Sequence, residues 1–356
     1  MQQTPLCRQR GQRNGGKSLP NSRSKRNHAE EHIARCAGLY AVISRLQMFD
    51  PPSPHPLDHD WRYDEATARR LADRLTGMQP VLCLGAPSVA RLLEQRGVDV
   101  TLVDRQPLQG VARHLVQSVE RFTADRRYRS ALVDPPWYPR QLQEWSNAAA
   151  RAVGNGGAIL VSVWPWDTRP SARAELDDAM SIFGRWAVVR RSVDSLQYEP
   201  PQFELVAHRH AGEPDLSRSP LVGELLHLTV TGTPPPPFVL SPGVRWRRFT
   251  ADCYQLAVRE GGDTKLDIAF VPGADGWHWP YVSARAPDIG RIDVWSSEGE
   301  VAGCGAGDAL AAILRRALAS PDARAFDEAM AQAPSLLTWG IPRPPYKRWI
   351  EWQHQQ

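Results

Sequence analysis

The sequence contains no long hydrophobic run and no cluster of cysteines. No apolar segment approaches the roughly 20 residues that a transmembrane helix needs, so we expect no membrane span and no membrane partner. The five cysteines are scattered, without a CxxC pair or a Cys/His cluster. This pattern argues against a metal site and against a disulfide framework, and it favours a protein of the reducing cytoplasm.

Acidic residues are absent from the first 28 residues, which carry seven Lys and Arg. The same stretch lacks the apolar segment of a secretory signal. We interpret residues 1–28 as a disordered basic tail, or as translated sequence upstream of a later start such as Met48. The rest of the chain holds 36 Lys and Arg against 39 Asp and Glu. The folded body is therefore not basic overall, and net charge alone does not indicate a nucleic-acid partner.

Two nucleotide-binding motifs are also missing. Neither a P-loop (GxxxxGKS or GxxxxGKT) nor a GxGxxG motif follows the apolar segment at 80–84. This absence argues against a P-loop NTPase and against a standard NAD site. The segment is followed instead by a single glycine, Gly85, and then by Ala86, Pro87 and Ser88.

Short apolar segments alternate with helical periodicity between residues 64 and 212. Asp64 and Gly77 are positioned to begin and end one helix, and Pro87 and Gly97 to bracket the next. Such alternation predicts an α/β fold with a parallel sheet covered by helices on both faces. Ligands of these sheets bind at the carboxyl ends of the strands. The predicted strands are 80–84, 99–104, 131–134, 158–164, 186–193 and 203–209, and further predicted helices end at Gly154 and Gly184.

The sequence outside this region divides into three parts. Residues 1–28 are the basic tail, and residues 29–63 contain a helix at 30–47 followed by a proline-rich loop. Residues 213–356 hold a proline-rich crossing at 231–238 and then seven of the 13 tryptophans. Here the sequences VRWRRF, KLDIAFV and RIDVW predict strands, and residues 308–319 predict a helix. We expect a smaller α+β domain, or an extension packed on the 64–212 domain.

The most distinctive stretch is SALVDPPWYP at residues 130–139. A buried strand ends on Asp134, Pro135 and Pro136 fix the turn, and Trp137 follows. A carboxylate and a main-chain carbonyl held by prolines can accept both N–H groups of an aromatic amine, and Trp137 offers a face on which a base can stack. A second DPP, at Asp50, has no strand before it and predicts a plain proline turn.

Three further residues follow predicted strands or precede the DPPW strand. Gly85 lies where the first strand meets its helix, a position at which helix N–H groups bind carboxylates or hydroxyls. Asp104 ends the second strand, 19 residues after Gly85, the usual place for an acid that bonds ribose hydroxyls. Asp125, in FTAD, is a candidate for contact with an adenine amino group. The order of these residues along the chain carries more weight than any one of them.

The stretches VLCLGAPSVARLL, TLVDRQ, RFTAD and ALVDPPWYPRQL, in this order, resemble class I S-adenosylmethionine-dependent methyltransferases. They are most similar to the N6-adenine-specific-like group, which includes elongation-factor-1A lysine methyltransferases and ribosomal-RNA adenine methyltransferases. The resemblance covers residues 78–212. It implies a Rossmann-like, mostly parallel sheet whose last strand, FELVAHR at 203–209, is antiparallel. It also implies S-adenosylmethionine as cofactor, a cofactor loop of Leu84, Gly85, Ala86, Pro87 and Ser88, a ribose acid Asp104 followed by Arg105, and an amine-binding turn from Asp134 to Trp137.

The leading hypothesis is methylation of the N6 amine of adenine in nucleic acid. Tyr138, Tyr198 and Phe203 are the candidate substrate-binding residues; YEPPQF lies close to where a substrate would enter, but its sequence is more typical of an ordinary proline loop. Two groups of arginines are candidates for phosphate contacts. These groups are Arg126, Arg127 and Arg129, and Arg245, Arg247 and Arg248 with Trp246. Protein-lysine methylation and a catalytically silent binding scaffold remain open alternatives, and the sequence does not indicate an oligomeric state.

Overall fold

The computed structural model describes residues 52–210, 212, 221–238, 243–262, 265–274, 276–279, 286 and 288–355. All of them lie within one compact unit, Leu46–Gln356. The predicted basic tail and the helix predicted at 30–47 lie outside the described residues.

An eight-stranded sheet forms the larger half of the described structure, with strand order β1-β7-β8-β6-β5-β2-β3-β4. Five helices follow its strands along the chain. The strands are β1 (Arg62–Tyr63), β2 (Val81–Leu84), β3 (Val100–Asp104), β4 (His114–Val116), β5 (Ser130–Val133), β6 (Ala158–Val163), β7 (Ala187–Glu199) and β8 (Leu221–Val230). The helices are α1 (Glu65–Thr76), α2 (Pro87–Gln95), α3 (Pro139–Val153), α4 (Ala172–Phe183) and α5 (Gln202–His210).

The first two helices lie where the sequence predicts them, and the capping residues are those that the sequence indicates. The Asp64 carboxylate caps α1 by accepting a hydrogen bond from the N–H of Thr67 at 2.7 Å, and Gly77 follows the last residue of α1. Pro87 occupies the first turn of α2, and Gly97, just past its end, has a φ of +71°. Strands β2 and β5 are buried at every residue, as a parallel sheet covered on both faces requires.

The strand directions confirm the predicted fold class. Strands β2 to β6 are parallel, and β8 is antiparallel to both β6 and β7, between which it lies. The result is a mostly parallel, Rossmann-like sheet. The carboxyl ends of β2, β3 and β5 meet at one edge.

The prediction that residues 203–209 form the antiparallel last strand is wrong. They belong to helix α5, because Phe203, Val206 and Ala207 recur at helical spacing and form its buried face. Pro201 also favours a helix start, since its carbonyl accepts hydrogen bonds from the N–H groups of Glu204 and Leu205. The antiparallel strand is β8, in LVGELLHLTV.

A second, antiparallel sheet has the order β12-β11-β10-β9-β13. Helix α6 packs on its central strands and contacts α7. The predicted helix at 308–319 and the strands in VRWRRF and RIDVW are confirmed, whereas KLDIAFV forms only an isolated bridge between Ala269 and Gly303. The elements are β9 (Arg245–Ala251), β10 (Tyr254–Arg259), β11 (Val294–Ser296), β12 (Val301–Ala302), α6 (Gly307–Leu318), α7 (Ala323–Met330) and β13 (Trp349–Gln355).

The proline-rich segment before β1 is attached to the second sheet. The N–H of Ser53 donates to the Cys253 carbonyl at 2.7 Å, and the Nε2 of His55 bonds to the Trp295 carbonyl at 3.0 Å. Leu57 packs in the same cluster as the Trp295 ring. These contacts direct residues 58–61 to the edge of the larger sheet where the parallel strands end.

Candidate active site

A cavity of about 320 Å³ opens at the carboxyl ends of β2, β3 and β5. Gly85, Asp104 and Asp134, which the sequence placed after these three strands, all line it. A volume of this size is within the usual range for small-molecule sites. The topology therefore brings the three best sequence candidates to one place.

Asp134 is held by strands on both sides of β5. Its N–H donates to the Leu84 carbonyl at 3.0 Å. Its Oδ1 accepts a hydrogen bond from the Tyr198 hydroxyl on β7 at 2.9 Å and another from the Ser162 hydroxyl on β6. Tyr198 is itself fixed by Tyr63, with ring centroids 4.8 Å apart. The carboxylate is thus oriented by hydroxyls from two strands, β6 and β7.

Burial raises the pKa of Asp134 to about 7. The hydrogen bonds from Ser162 and Tyr198 favour the ionised form and oppose this rise, and the negative charge of Asp60 adds to it. An acid with a pKa near neutrality at the bottom of a cavity is typical of a functional site.

This pKa predicts a pH-dependent stability. The folded-state pKa lies above the unfolded value of 3.8, so the contribution of Asp134 is fully present below pH 3.8 and is lost as pH rises through 7. Urea unfolding at pH 5 and pH 8 should show wild type losing on the order of 1–3 kcal/mol relative to Asp134→Asn. The exposed acid variant Asp125→Asn is the control. A wild-type-to-variant difference that stays constant with pH would contradict the raised pKa.

Trp137 forms an aromatic wall beside Asp134. Its ring packs edge-on against Tyr198, with centroids 5.7 Å apart. Gly223 on β8 leaves room for both rings, since a Cβ there would lie 3.0 Å from the Tyr198 ring and 3.2 Å from that of Trp137. The Pro136 carbonyl accepts a hydrogen bond from the Tyr138 N–H at 2.7 Å. This bond holds the turn from which α3 begins.

Gly85 brings the β2 backbone to the cavity beside Asp134. Its φ of +68° is in the left-handed region. A Cβ at this position would lie 2.6 Å from the Trp145 ring and 2.9 Å from the Asp134 carbonyl oxygen. Both the dihedral angle and the space therefore require glycine.

Asp104 ends β3 at the cavity wall. Its Oδ1 accepts a hydrogen bond from the Gln106 N–H at 2.9 Å. Burial raises the pKa of Asp104 to about 7; the Gln106 N–H opposes that rise, whereas the charges of Asp60 and Asp58 reinforce it. Arg105 also lines the cavity. The site thus contains two separate acids with raised pKa values.

Several predicted residues lie outside the cavity lining. Of the predicted cofactor loop, Leu84, Ala86, Pro87 and Ser88 adjoin Gly85 without lining the cavity, whereas Tyr138 and Tyr198 do line it. Asp125 is exposed and forms an ion pair with Arg113. Phe203 is buried against Trp61, with ring centroids 6.4 Å apart.

The two predicted arginine groups are largely engaged in the protein. Arg126 pairs with Asp99, and Arg127 bonds to the Arg151 carbonyl. Arg245 and Arg247 pair with Glu260. The prediction of a phosphate contact is wrong for Arg248, which is completely buried. Arg129 is exposed.

Sequence reasoning missed residues 58–61. Asp58, His59, Asp60 and Trp61 all line the cavity, although their stretch reads as a proline-rich loop. Burial, together with Arg105, lowers the pKa of His59 to about 4, so its imidazole is neutral at pH 7. The feature of the sequence that could have identified this segment is the presence of two acids and a tryptophan within four residues.

Over the part of the chain that the structure describes, no group of three or more His, Cys, Asp or Glu is arranged to hold a metal ion. Among the same residues, no helix has the length and apolar character that crossing a membrane requires.

Comparisons with known proteins give only distant likenesses. A scan against family models and a search of curated proteins found no match. Among solved structures, a T. thermophilus 16S rRNA N2 methyltransferase, in complex with AdoMet and guanosine, has a TM-score of 0.34 and 17% identity over 62% of this chain and 52% of that one. A putative RNA methyltransferase from Pyrococcus horikoshii has a TM-score of 0.38 and 10% identity over 52% of this chain and 96% of that one. The N-methyltransferase NodS from Bradyrhizobium japonicum, in complex with S-adenosylhomocysteine, has a TM-score of 0.29 and 10% identity over 46% of this chain and 85% of that one. Because these values are low, none of the likenesses supports a statement about substrate.

Proposed function

We propose that this protein is an S-adenosylmethionine-dependent N-methyltransferase that acts on the N6 amine of adenine in nucleic acid. One observation carries the proposal. The oriented carboxylate of Asp134, followed by Pro135, Pro136 and Trp137, shares a single cavity with Gly85 and Asp104.

The chain's own residues fit the donor on the Gly85 and Asp104 side. Gly85 lines the cavity with its backbone, and a side chain at this position would collide with the Trp145 ring. Asp104 receives a backbone N–H on Oδ1, which leaves Oδ2 as the oxygen we assign to ribose hydroxyls. When bound, S-adenosylmethionine would supply an electrophilic methyl group.

The acceptor amine belongs on the Asp134 side. With Oδ1 accepting hydrogen bonds from Ser162 and Tyr198, we assign Oδ2 to one N–H of the substrate amine. The Pro136 carbonyl is engaged by Tyr138, so we assign the second N–H to the Pro135 carbonyl. Two acceptors on one aromatic amine localise the nitrogen lone pair that the methyl group must receive. Ionised Asp134 also offers a place for the proton that the amine loses.

The presence of Trp137 in the cavity favours a planar, aromatic substrate over a flexible one. Its ring lies beside the carboxylate and lines the cavity, so a base whose amine reaches Asp134 can stack on it. We expect Trp137→Ala to raise the KM for a nucleic-acid substrate by roughly 10- to 100-fold, in line with about 1–3 kcal/mol per stacked base. Steady-state kinetics should show a far smaller change in the KM for the donor, and Trp137→Phe should retain most of the affinity. Equal losses for both substrates would mean that Trp137 is a structural residue.

Binding of the methyl donor to its half of the site can be tested without knowing the acceptor substrate. Calorimetry with S-adenosylhomocysteine should show binding to wild type and weaker binding to Asp104→Ala, which loses the ribose acceptor. Asp125→Ala, which removes an exposed acid outside the cavity, is the matched control. No binding to wild type at millimolar ligand would leave only a silent scaffold.

Lysine methylation is the second candidate, and the pKa of Asp134 near 7 favours it, because such a carboxylate can take a proton from an ammonium group. Incubation with labelled donor and separate DNA, RNA and protein pools separates the candidates. Label in nucleic acid supports the proposal, label in protein supports the lysine alternative, and donor binding without label in any pool supports the scaffold.

A further inference from the structure

A buried arginine links the second sheet to the residues that line the cavity. Arg248 on β9 is completely buried, and an arginine in that environment requires a charged partner. The partner is Asp58, whose Oδ1 and Oδ2 accept hydrogen bonds from Nη1 at 3.2 Å and from Nη2 at 2.9 Å. Gln255 on β10 also accepts from Nη2 at 3.0 Å. The bidentate geometry fixes both the position and the plane of the Asp58 carboxylate.

Asp58, held in this way, is hydrogen-bonded to the loop that follows β3. The Nε2 of Gln106 donates to the Asp58 Oδ2 at 3.1 Å and to the Asp60 Oδ2 at 2.9 Å. The backbone N–H of the same residue donates to the Asp104 Oδ1. A continuous set of hydrogen bonds thus runs from Arg248 through Asp58 and Gln106 to Asp104. All of these residues except Arg248 line the cavity.

Arg248 also balances negative charge at this wall of the cavity. Asp58, Asp60 and Asp104 place three carboxyl groups around Gln106, two on its side-chain amide and one on its backbone N–H. Among the residues that the structure describes, Arg248 and Arg105 both face Asp58, with the Arg105 Nη1 at 3.9 Å from its Oδ1, and Arg62 pairs with Asp60 at 2.7 Å. Arg248 is the nearer of the two to Asp58, so its loss leaves a largely buried acid beside Asp104.

We propose that Arg248 is a positioning residue for the donor half of the site: through Asp58 and Gln106 it holds Asp104 and residues 58–61 in place, so that the second sheet is part of the donor-binding site. The proposal rests on the function proposed above. It assigns a role to a Trp-rich region that sequence reasoning left without one.

The effect should be specific to the donor. Arg248→Met should raise the KM for S-adenosylmethionine about tenfold, the effect of losing one hydrogen bond to a charged group. The rate at saturating donor and the KM for nucleic acid should change by no more than about twofold. In an Asp58→Asn background, Arg248→Met should add little to the loss of donor affinity, because the arginine acts through that carboxylate.

Arg247 provides the matched control. It is the adjacent residue on β9 and so points to the opposite face of the sheet. It too is ion-paired, to Glu260 at 3.1 Å and to Glu351 at 3.0 Å. Arg247→Met should leave the donor KM unchanged. Equal increases in donor KM for the two variants, or no increase for Arg248→Met, would overturn the proposal.

A second measurement separates this proposal from the proposed function. Arg248→Lys keeps the charge but loses the bidentate contact, so it is the milder variant if Arg248→Met does not fold. Amide hydrogen exchange should be faster in this variant than in wild type for residues 57–61 and 104–108, with or without donor. Unchanged exchange in both segments would overturn the coupling, whereas absence of donor binding by wild type would overturn the proposed function alone.

Discussion

Replacement of Asp134 by alanine should reduce the rate of methyl transfer by about a hundredfold or more, in line with roughly 3 kcal/mol for losing one preorganised polar contact in a transition state. The variant loses the oxygen that accepts the amine N–H, while Gly85 and Asp104 on the donor side are untouched. The dissociation constant for S-adenosylhomocysteine should therefore change by no more than about threefold. Single-turnover kinetics and calorimetry measure the two quantities.

Asp134→Asn is the stricter version of this test. It keeps the shape of the side chain and an oxygen for the hydroxyls of Ser162 and Tyr198, so the fold should be preserved. Asp125→Ala should retain full activity, because Asp125 is exposed and pairs with Arg113 outside the cavity. Near-full activity of Asp134→Asn would show that the DPPW turn is structural.

Replacement of Gly85 by alanine should produce a comparable loss through a different route. The added Cβ would lie 2.6 Å from the Trp145 ring and 2.9 Å from the Asp134 carbonyl oxygen, and φ would remain in a region that costs about 1–2 kcal/mol for an L-residue. Either Trp145 or the Asp134 backbone must move, and both line the cavity. Because a displacement of about 1 Å can cost on the order of a hundredfold in rate, we expect kcat/KM to fall by about that factor.

Gly77→Ala is the control for this substitution. Gly77 follows α1 with a φ of −84°, and no atom lies within 4 Å of a Cβ built there. This variant should keep wild-type activity. Equal activity of Gly85→Ala and Gly77→Ala would mean that the cavity does not need the close backbone approach at residue 85.

The sequence predicted the parallel strands β2, β3, β5 and β6 and the residues that end them, but not the short parallel strand β4. Apolar segments of four to six residues, punctuated by capping residues such as Asp64 and Gly154, identify their elements locally, and the topology of an α/β sheet then places Gly85, Asp104 and Asp134 together. The Asp134 turn was distinguishable from the DPP at residue 50 because the sequence predicts a buried strand before the former and not before the latter.

The parts that were missed depend on long-range contacts. Residues 58–61 reach the cavity because His55 and Asp58 bond to residues 240 and 190 positions away, and no local pattern reports such pairing. The burial of Arg248 has the same origin, since its charge reads as a surface residue until Asp58 is placed beside it. The apolar residues of FELVAHR fit both the two-residue period of a strand and the 3.6-residue period of a helix. The two prolines before this segment favour the helix.

The most direct test of the proposed chemistry is the identity of the methylated atom. Wild-type protein is incubated with isotopically labelled S-adenosylmethionine and nucleic acid, the product is digested to nucleosides, and the label is located by mass spectrometry. We expect label on N6-methyladenine with wild type and no label with Asp134→Asn. Label on a ring carbon or on a ribose hydroxyl, or no label in nucleic acid, would contradict N6 methylation.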